Sequence, residues 1–271
     1  YEILRCLVGS EMCIRDRLGN DYLYIYGEPK NPEELSIKLS DRHFGAGSDG
    51  IILILPSEIA DFKMRIFNAD GSEAKMCGNG IRCVGKYVYD KGYTDKTDLK
   101  IETLSGIRTL ELFTENGKVK KASVDMGKVE VSDEFILDVN GAAVTCIPVS
   151  VGNPHAVIFV EDIEKAPLTT SGPIIEHHQA FPGGVNVEFV QVTGKNSLRM
   201  RVWERGSGVT MACGTGACAS AAAAVSKGFC PENEKISVVL DGGTLEIKVK
   251  KDGTVIMTGP AETVYEGEVN V

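Results

Sequence analysis

The chain has 271 residues, of which 43% are hydrophobic and 25% charged, an ordinary globular composition that excludes a disordered polymer and provides for two modest cores or one large one. Its 38 acidic against 29 basic residues give a net charge of -9, which leaves no basic footprint for nucleic acid or an anionic membrane. A small polar ligand is the expected partner.

The opening stretch, "YEILRCLVGSEMCIRDR" (1–17), lacks a basic region followed by a continuous apolar run and a small-residue cleavage site, so it does not read as a secretory signal. "GIILILP" (50–56) is the longest apolar run, and it has the length of a buried strand, far short of the roughly 18 residues of a membrane helix. The eight cysteines then belong to a reducing cytoplasm, where structural disulfides are uncommon.

"FKMRIFN" (62–68) alternates as a strand and leads through a Gly-Ser turn to "MCGNGIRC" (76–83),. The following "IRCVGKYVYDKG" (81–92) predicts a helix, with Ile81, Val84 and Val88 at helical spacing, Lys91 in the last turn and Gly92 as its stop,. Strand-like "IETLSGIRTLELF" (101–113) and "KASVDMG" (121–127) come next. The second half repeats the order: strand "SLRMRVWE" (197–204), then "ACGTGACA" (212–219). The helix "ACASAAAAVSKG" (217–228) has almost no polar face and is expected to be buried on all sides, and "ISVVLDGGTLEIKVKKDGTVIMTG" (236–259) returns to strands,.

The repetition is regular. "MRIFNADGS" and "MRVWERGSG", the two Cys-Gly-x-Gly segments, the two "KG" pairs, and "GIILI" against "NVEFV" all stand 136 positions apart (213 against 77 for the cysteines). "GNDYLYI" from Gly19 and "GNPHAVI" from Gly152 stand 133 apart. A fixed offset in one order predicts two similar lobes. The expected fold class is α/β (α+β), with two pseudo-symmetric lobes, each a curved and mostly antiparallel sheet or barrel around a central helix. The lobes are expected over residues 1–118 plus 259–271, and over 119–258.

A cysteine just before a helix, followed by glycines, sits at the free N–H groups and positive dipole end. That setting is expected to lower a thiol pKa from about 8.5 toward neutrality and to receive a carboxylate. If the lobes face each other, one thiolate takes a proton from a carbon while the other thiol delivers one to the opposite face, and the helix starts stabilise the enolate-like charge. Such a two-base epimerase needs no cofactor. Zinc is the first competing reading, since four residues separate Cys213 from Cys218. Helical residues five or six apart project to different sides, however, so Cys83 and Cys218 read as core. The only histidines are His43, His155, His177 and His178, no Cys-x-x-Cys occurs, and neither glycine segment has the Lys-Ser/Thr ending of a phosphate loop,. No metal site is expected.

"FNADGSEAKMCGNGIRC", "GNPHAV", "NVEFV" and "WERGSGVTMACGTGACA" are similar to the motifs of the diaminopimelate epimerase family, isomerases that work without a cofactor on LL- and meso-diaminopimelate in lysine and peptidoglycan biosynthesis. The resemblance runs from Leu18 to the end and includes "GPAETVYEGEV" (259–269). It implies Cys77 and Cys213 as the acid/base pair, with His155 and Glu204 tuning their protonation. Gly78-Asn79 and Gly214-Thr215 would hold the reacting end's carboxylate. Asn20, Asn68, Asn153, Asn186 and the pair Glu204-Arg205 would read the far end, where a planar Arg grips a carboxylate by two bonds. A homodimer is implied as well. Asn68-Ala69 is matched in the repeat by Glu204-Arg205, so a nearly symmetric frame carries an asymmetric recognition set.

Proline-racemase-like enzymes share the lobes and paired cysteines, but "MCGNG", "GNPH" and "WERGSG" favour diaminopimelate. Isomerases of the phenazine-biosynthesis type share the fold without this cysteine pair. A non-catalytic thiol- or metal-binding protein would use the cysteines as reporters or ligands. Two departures from the family pattern stand out. Relatives run into a "K-x-H-G-x-G-N-D"-like segment, whereas "RDRLGND" stands here and "CLVGSEMCIRD" resembles translated sequencing-adaptor read-through. Residues 1–17 are therefore read as non-native, in place of a first strand. Gly50 stands where some members carry a side-chain amide, and it is assigned no contact.

Overall fold

A computed structural model describes residues 11–15, 21–263 and 265–267. Asn20 and most of residues 1–17 lie outside the described residues. The chain forms two compact units, residues 1–124 with 259–271 and residues 125–258.

In the first unit β1 (Glu11–Arg15) pairs antiparallel with β2 (Asp21–Tyr26). The chain then crosses over through α1 (Pro32–Ser40) to β3 (Gly50–Leu55), parallel to β2. A parallel pair requires such a crossover. β3 reads "GIILIL" and is buried throughout, because β2 and β4 (Phe62–Asn68) flank it and apolar layers cover both faces,. After the short β5 (Glu73–Ala74) comes α2 (Gly78–Asp90), followed by the meander β6 (Asp98–Thr103), β7 (Gly106–Glu115) and β8 (Lys118–Lys128).

The second unit opens with β9 (Glu130–Val131), β10 (Phe135–Val139) and β11 (Ala142–Ser150), and then retraces the same path. β12 (Pro154–Phe159) crosses through α3 (Leu168–Glu176) to the parallel β13 (Asn186–Gly194). β14 (Ser197–Glu204), β15 (Gly208–Thr210), α4 (Gly214–Ser226), β16 (Lys235–Leu240), β17 (Gly243–Val249) and β18 (Thr254–Pro260) follow. β19 (Tyr265–Gly267) returns to pair with β1. Most ladders are antiparallel, with parallel ones at β2–β3, β4–β6, β12–β13 and β14–β16.

The repeat holds at the level of register. Ile51 lies opposite Phe67, and Val187 lies opposite Trp203. Both long helices have 13 residues and end alike. Gly92 (φ 76) donates to Tyr89 O while Tyr93 donates to Val88 O, and Gly228 (φ 72) donates to Val225 O while Phe229 donates to Ala224 O. This is the paired 6→1 and 5→2 closure that a left-handed glycine permits. α4 is buried from Gly216 through Ala224, as its composition predicts. α2 is buried as fully, although it carries Arg82 and Lys86. Lys86 reaches Asp90 at 2.6 Å and Val119 O at 2.8 Å, so its charge enters the interior already paired,.

Candidate active site

Each cysteine of interest is the N-cap of its helix, extended in backbone (φ -134 at Cys77, φ -126 at Cys213), and its Sγ accepts the N–H three residues on. The bond is 3.3 Å from Gly80 N to Cys77 and 3.3 Å from Gly216 N to Cys213. The thiols thus occupy the place of a Ser or Asp cap, at the end where helical N–H groups lack carbonyl partners. Cys83 and Cys218 are fully buried.

In the second unit the candidate residues form a connected chain. β12 and β13 run in parallel with His155 opposite Asn186, which puts Glu188, two residues on, on the same face and diagonal to His155. Glu188 Oε1 lies 2.7 Å from His155 Nδ1 and both side chains are fully buried. His155 Nε2 lies 3.1 Å from Asn153 Oδ1, Asn153 donates to Thr215 Oγ1 at 3.4 Å, and that hydroxyl lies 3.5 Å from Cys213 Sγ. Glu204, whose charge acts on the Cys213 thiol, accepts from Thr210 Oγ1.

The electrostatics of Cys213 correct the sequence expectation. Its thiol is pushed well above its ordinary 9.0 by burial first, then by the negative charges of Glu204 and Glu188, and the hydrogen bonds from Thr215 and Gly216 only partly offset this. A helix terminus supplies about half a charge, which two carboxylates and desolvation outweigh. Burial likewise pushes the Glu204 carboxyl above 4.5. Cys146, buried and facing the charge of Glu188, is pushed up to about 12.

Asn186 supports the backbone: its Nδ2 donates to Pro154 O at 3.1 Å and its Oδ1 accepts from Arg205 N at 3.0 Å. Arg205 projects an exposed guanidinium that donates to Gly183 O at 3.0 Å. The hairpin bearing Glu204 and Arg205 is anchored by Glu176, whose carboxylate accepts from Trp203 Nε1 at 2.7 Å and Gly206 N at 2.8 Å.

In the first unit Cys77, Gly78 and Asn79 stand together at the head of α2, and Asn68 ends β4. Asn68 Nδ2 donates to Ser72 Oγ at 3.0 Å, within the turn that Asp70 closes by accepting from Ser72 N and Oγ. Arg82 is fully buried and donates to Gly78 O and Asn79 Oδ1, each at 3.2 Å, and to Pro260 O at 3.3 Å. Sequence reasoning passed over Glu188, Glu176, Thr210 and Arg82. For Glu188 a signal was present, a lone acid inside the apolar run "VNVEFV" (185–190). Among the described residues no group of three or more His, Cys, Asp or Glu side chains is disposed to hold a metal ion.

Comparisons with known proteins bear on this arrangement. The profile of the family described as diaminopimelate epimerase matches residues 14–132 and 147–264. The diaminopimelate epimerase of Methanococcus maripaludis is 51% identical over 273 residues, spanning 94% of this chain and 97% of the relative. That of Acetivibrio thermocellus is 50% identical over 271 residues, spanning 94% and 96%. A crystal structure of a probable proline racemase from Agrobacterium radiobacter superposes with a TM-score of 0.77 at 17% identity, covering 97% of this chain and 93% of that one. At that identity the likeness is one of fold. On the family profile and on half-identity across nearly the whole of both chains, this protein belongs to the diaminopimelate epimerase family.

Proposed function

We propose that the protein is a cofactor-independent epimerase that interconverts LL- and meso-diaminopimelate, with Cys77 and Cys213 as its acid/base pair and the two units as its two lobes. One thiolate accepts the α-proton, so that a C–H bond breaks, an S–H bond forms and the electron pair moves onto the adjacent carboxylate as an enolate. The second thiol then donates its proton to the other face, and the centre is inverted.

The observation that carries this reading is the paired helix start. In each unit a thiol caps a 13-residue helix, and first-turn N–H groups at Gly78-Asn79 and Gly214-Thr215 suit the developing charge of the carboxylate. Cys213 and Glu204 both hold their protons more tightly than usual, which suits Cys213 to the part of proton donor. To act as base it must first give up that proton. His155 enters through Asn153 and Thr215. Asn20, Asn68, Asn153, Asn186 and the pair Glu204-Arg205 fall to the unreacting end of the substrate. The same reading makes the protein a cytoplasmic homodimer that binds neither nucleic acid nor membrane. Among the described residues, no helix is long and apolar enough to cross a membrane.

Incubation with LL-diaminopimelate in deuterium oxide tests the proposal. Deuterium is expected at one α-carbon together with the meso isomer, and L-proline is expected to stay unexchanged. Cys77→Ala and Cys213→Ala should each fold and each lose epimerisation. Absence of exchange in the wild type, or full activity in either variant, refutes the reading.

A further inference from the structure

The repeat is broken at one buried position. Ile52 and Glu188 occupy the same station in the two units, and both are 0% exposed. Each presses on the glycine in the first turn of its own helix: a Cβ at Gly80 would meet Ile52 Cδ1 at 2.6 Å, and a Cβ at Gly216 would meet Glu188 Oε1 at 2.6 Å. Where the first unit spends this place on packing, the second buries a carboxylate, which is unfavourable unless its partners compensate. The compensation is incomplete, because Glu188 Oε2 has no hydrogen-bond partner among the described residues. Its other oxygen is directed at His155 Nδ1, 2.7 Å away.

We propose that Glu188 is a positioning residue of the site, whose carboxylate accepts the Nδ1–H of His155 and so fixes the place and plane of the ring. The opposite ring edge then meets Asn153, which carries the constraint to Thr215 and from there to the thiol of Cys213. A carboxylate behind an imidazole acts in this way in catalytic triads and in metal sites. The repeat thus departs from symmetry at this station, where the second unit sets a carboxylate behind an imidazole and the first sets the apolar side chain of Ile52. The inference rests on the cysteine-pair reading given above.

The test compares wild type, Glu188→Gln, Glu188→Ile, His155→Gln and the double variant Glu188→Gln/His155→Gln. The chain has four histidines, so nitrogen-15 labelling of histidine lets the His155 ring be assigned by difference from the His155→Gln spectrum. A protonated Nδ1 is expected in wild type and a shifted signal in Glu188→Gln, with kcat for epimerisation reduced roughly 10–100-fold and KM within about twofold. The double variant should be no slower than His155→Gln alone. If Glu188→Gln does not fold, Glu188→Ile, which installs the first unit's own residue, carries the same readings. A kcat within about twofold of wild type with unchanged ring signals, or losses that multiply in the double variant, overturns the proposal. Failure of the wild type to epimerise would refute the functional reading instead, while the ring signals would still decide whether Glu188 holds His155.

Discussion

Trp203 donates its indole N–H to the buried carboxylate of Glu176 at 2.7 Å, which ties the crossover helix of the second unit to the strand that ends on Glu204. The same carboxylate holds Gly206 N, so Glu176→Leu strands two donors in the turn of the hairpin. The unfolding free energy should fall by about 3 kcal/mol, on the ground that each donor left without a partner costs about 1–3. Trp203 is the chain's single tryptophan, and its emission should shift to the red. An unchanged spectrum and denaturation midpoint would show that the anchor is dispensable.

Gly80 and Gly216 hold equivalent places but should not tolerate alanine equally. At Gly80 the new methyl meets the apolar side-chain ends of Ile52 and Met64, at 2.6 and 3.2 Å, neither of which holds a catalytic side chain in place. At Gly216 it meets the Glu188 oxygen bonded to His155, and Glu188 Cγ and Cys213 Cβ at 3.2 Å. Gly216→Ala should cost about 1–3 kcal/mol from overpacking and lower kcat roughly 10–100-fold by displacing the thiol's supports. Gly80→Ala should stay closer to wild type in both. Thermal melts and initial rates of the two variants, measured side by side, give the comparison, and the reverse order would contradict it.

Protonation of Glu204 links stability to pH. Burial raises its folded pKa above the ordinary 4.5, so the folded protein binds this proton more tightly than the unfolded chain does. The resulting stabilisation is complete below pH 4.5 and is lost as pH rises through the folded value. The stability of wild type relative to Glu204→Gln should therefore decline as the pH is raised from 4.5. Cys213, raised above 9.0, adds a second decline on the alkaline side, which Cys213→Ser should remove. Urea unfolding at a series of pH values reads both, and a flat difference for Glu204→Gln would contradict the assignment.

Arg82 joins the head of α2 to the chain's last strands through Gly78 O, Asn79 Oδ1 and Pro260 O. Arg82→Met fills the volume but leaves two buried acceptors, Gly78 O and Asn79 Oδ1, and the half-buried Pro260 O without this donor. A loss of about 3 kcal/mol is expected, since hydrogen bonds from charged groups contribute about 1.5–3 each and only part of that is recovered by apolar packing. KM should rise more than kcat falls, because Asn79 loses its restraint at the proposed carboxylate site. Steady-state kinetics on the folded variant separates the two, and an unchanged KM would remove Arg82 from that part.

Much of this architecture was legible in the sequence because the two units use the same residues where geometry is strict. Cys-Gly-x-Gly at the helix starts and Lys-Gly at the helix ends recur because capping and left-handed closure admit few alternatives. α1 and α3 also stand 136 positions apart, but "PEELSIKLS" and "LTTSGPIIE" share no pattern, since a crossover helix needs only one apolar face of some kind. The burial of Arg82 and Lys86 has no local sign in the sequence, because partners that admit them, Pro260 O and Val119 O, lie far along the chain. The thiol of Cys213 was misjudged for a related reason. The helix start is a local feature, whereas Glu188 and Glu204 reach it from two other strands.

The order of these segments along the chain also sets an order of assembly. Residues 125–258 form one uninterrupted unit, while the other takes residues from both ends and closes β1 against β19. During synthesis the inserted unit is complete before the unit that encloses it in sequence can receive its last strand. Because domains fold as units, the half bearing Cys213 can form from one continuous stretch, whereas the half bearing Cys77 must join segments that lie on either side of it in sequence.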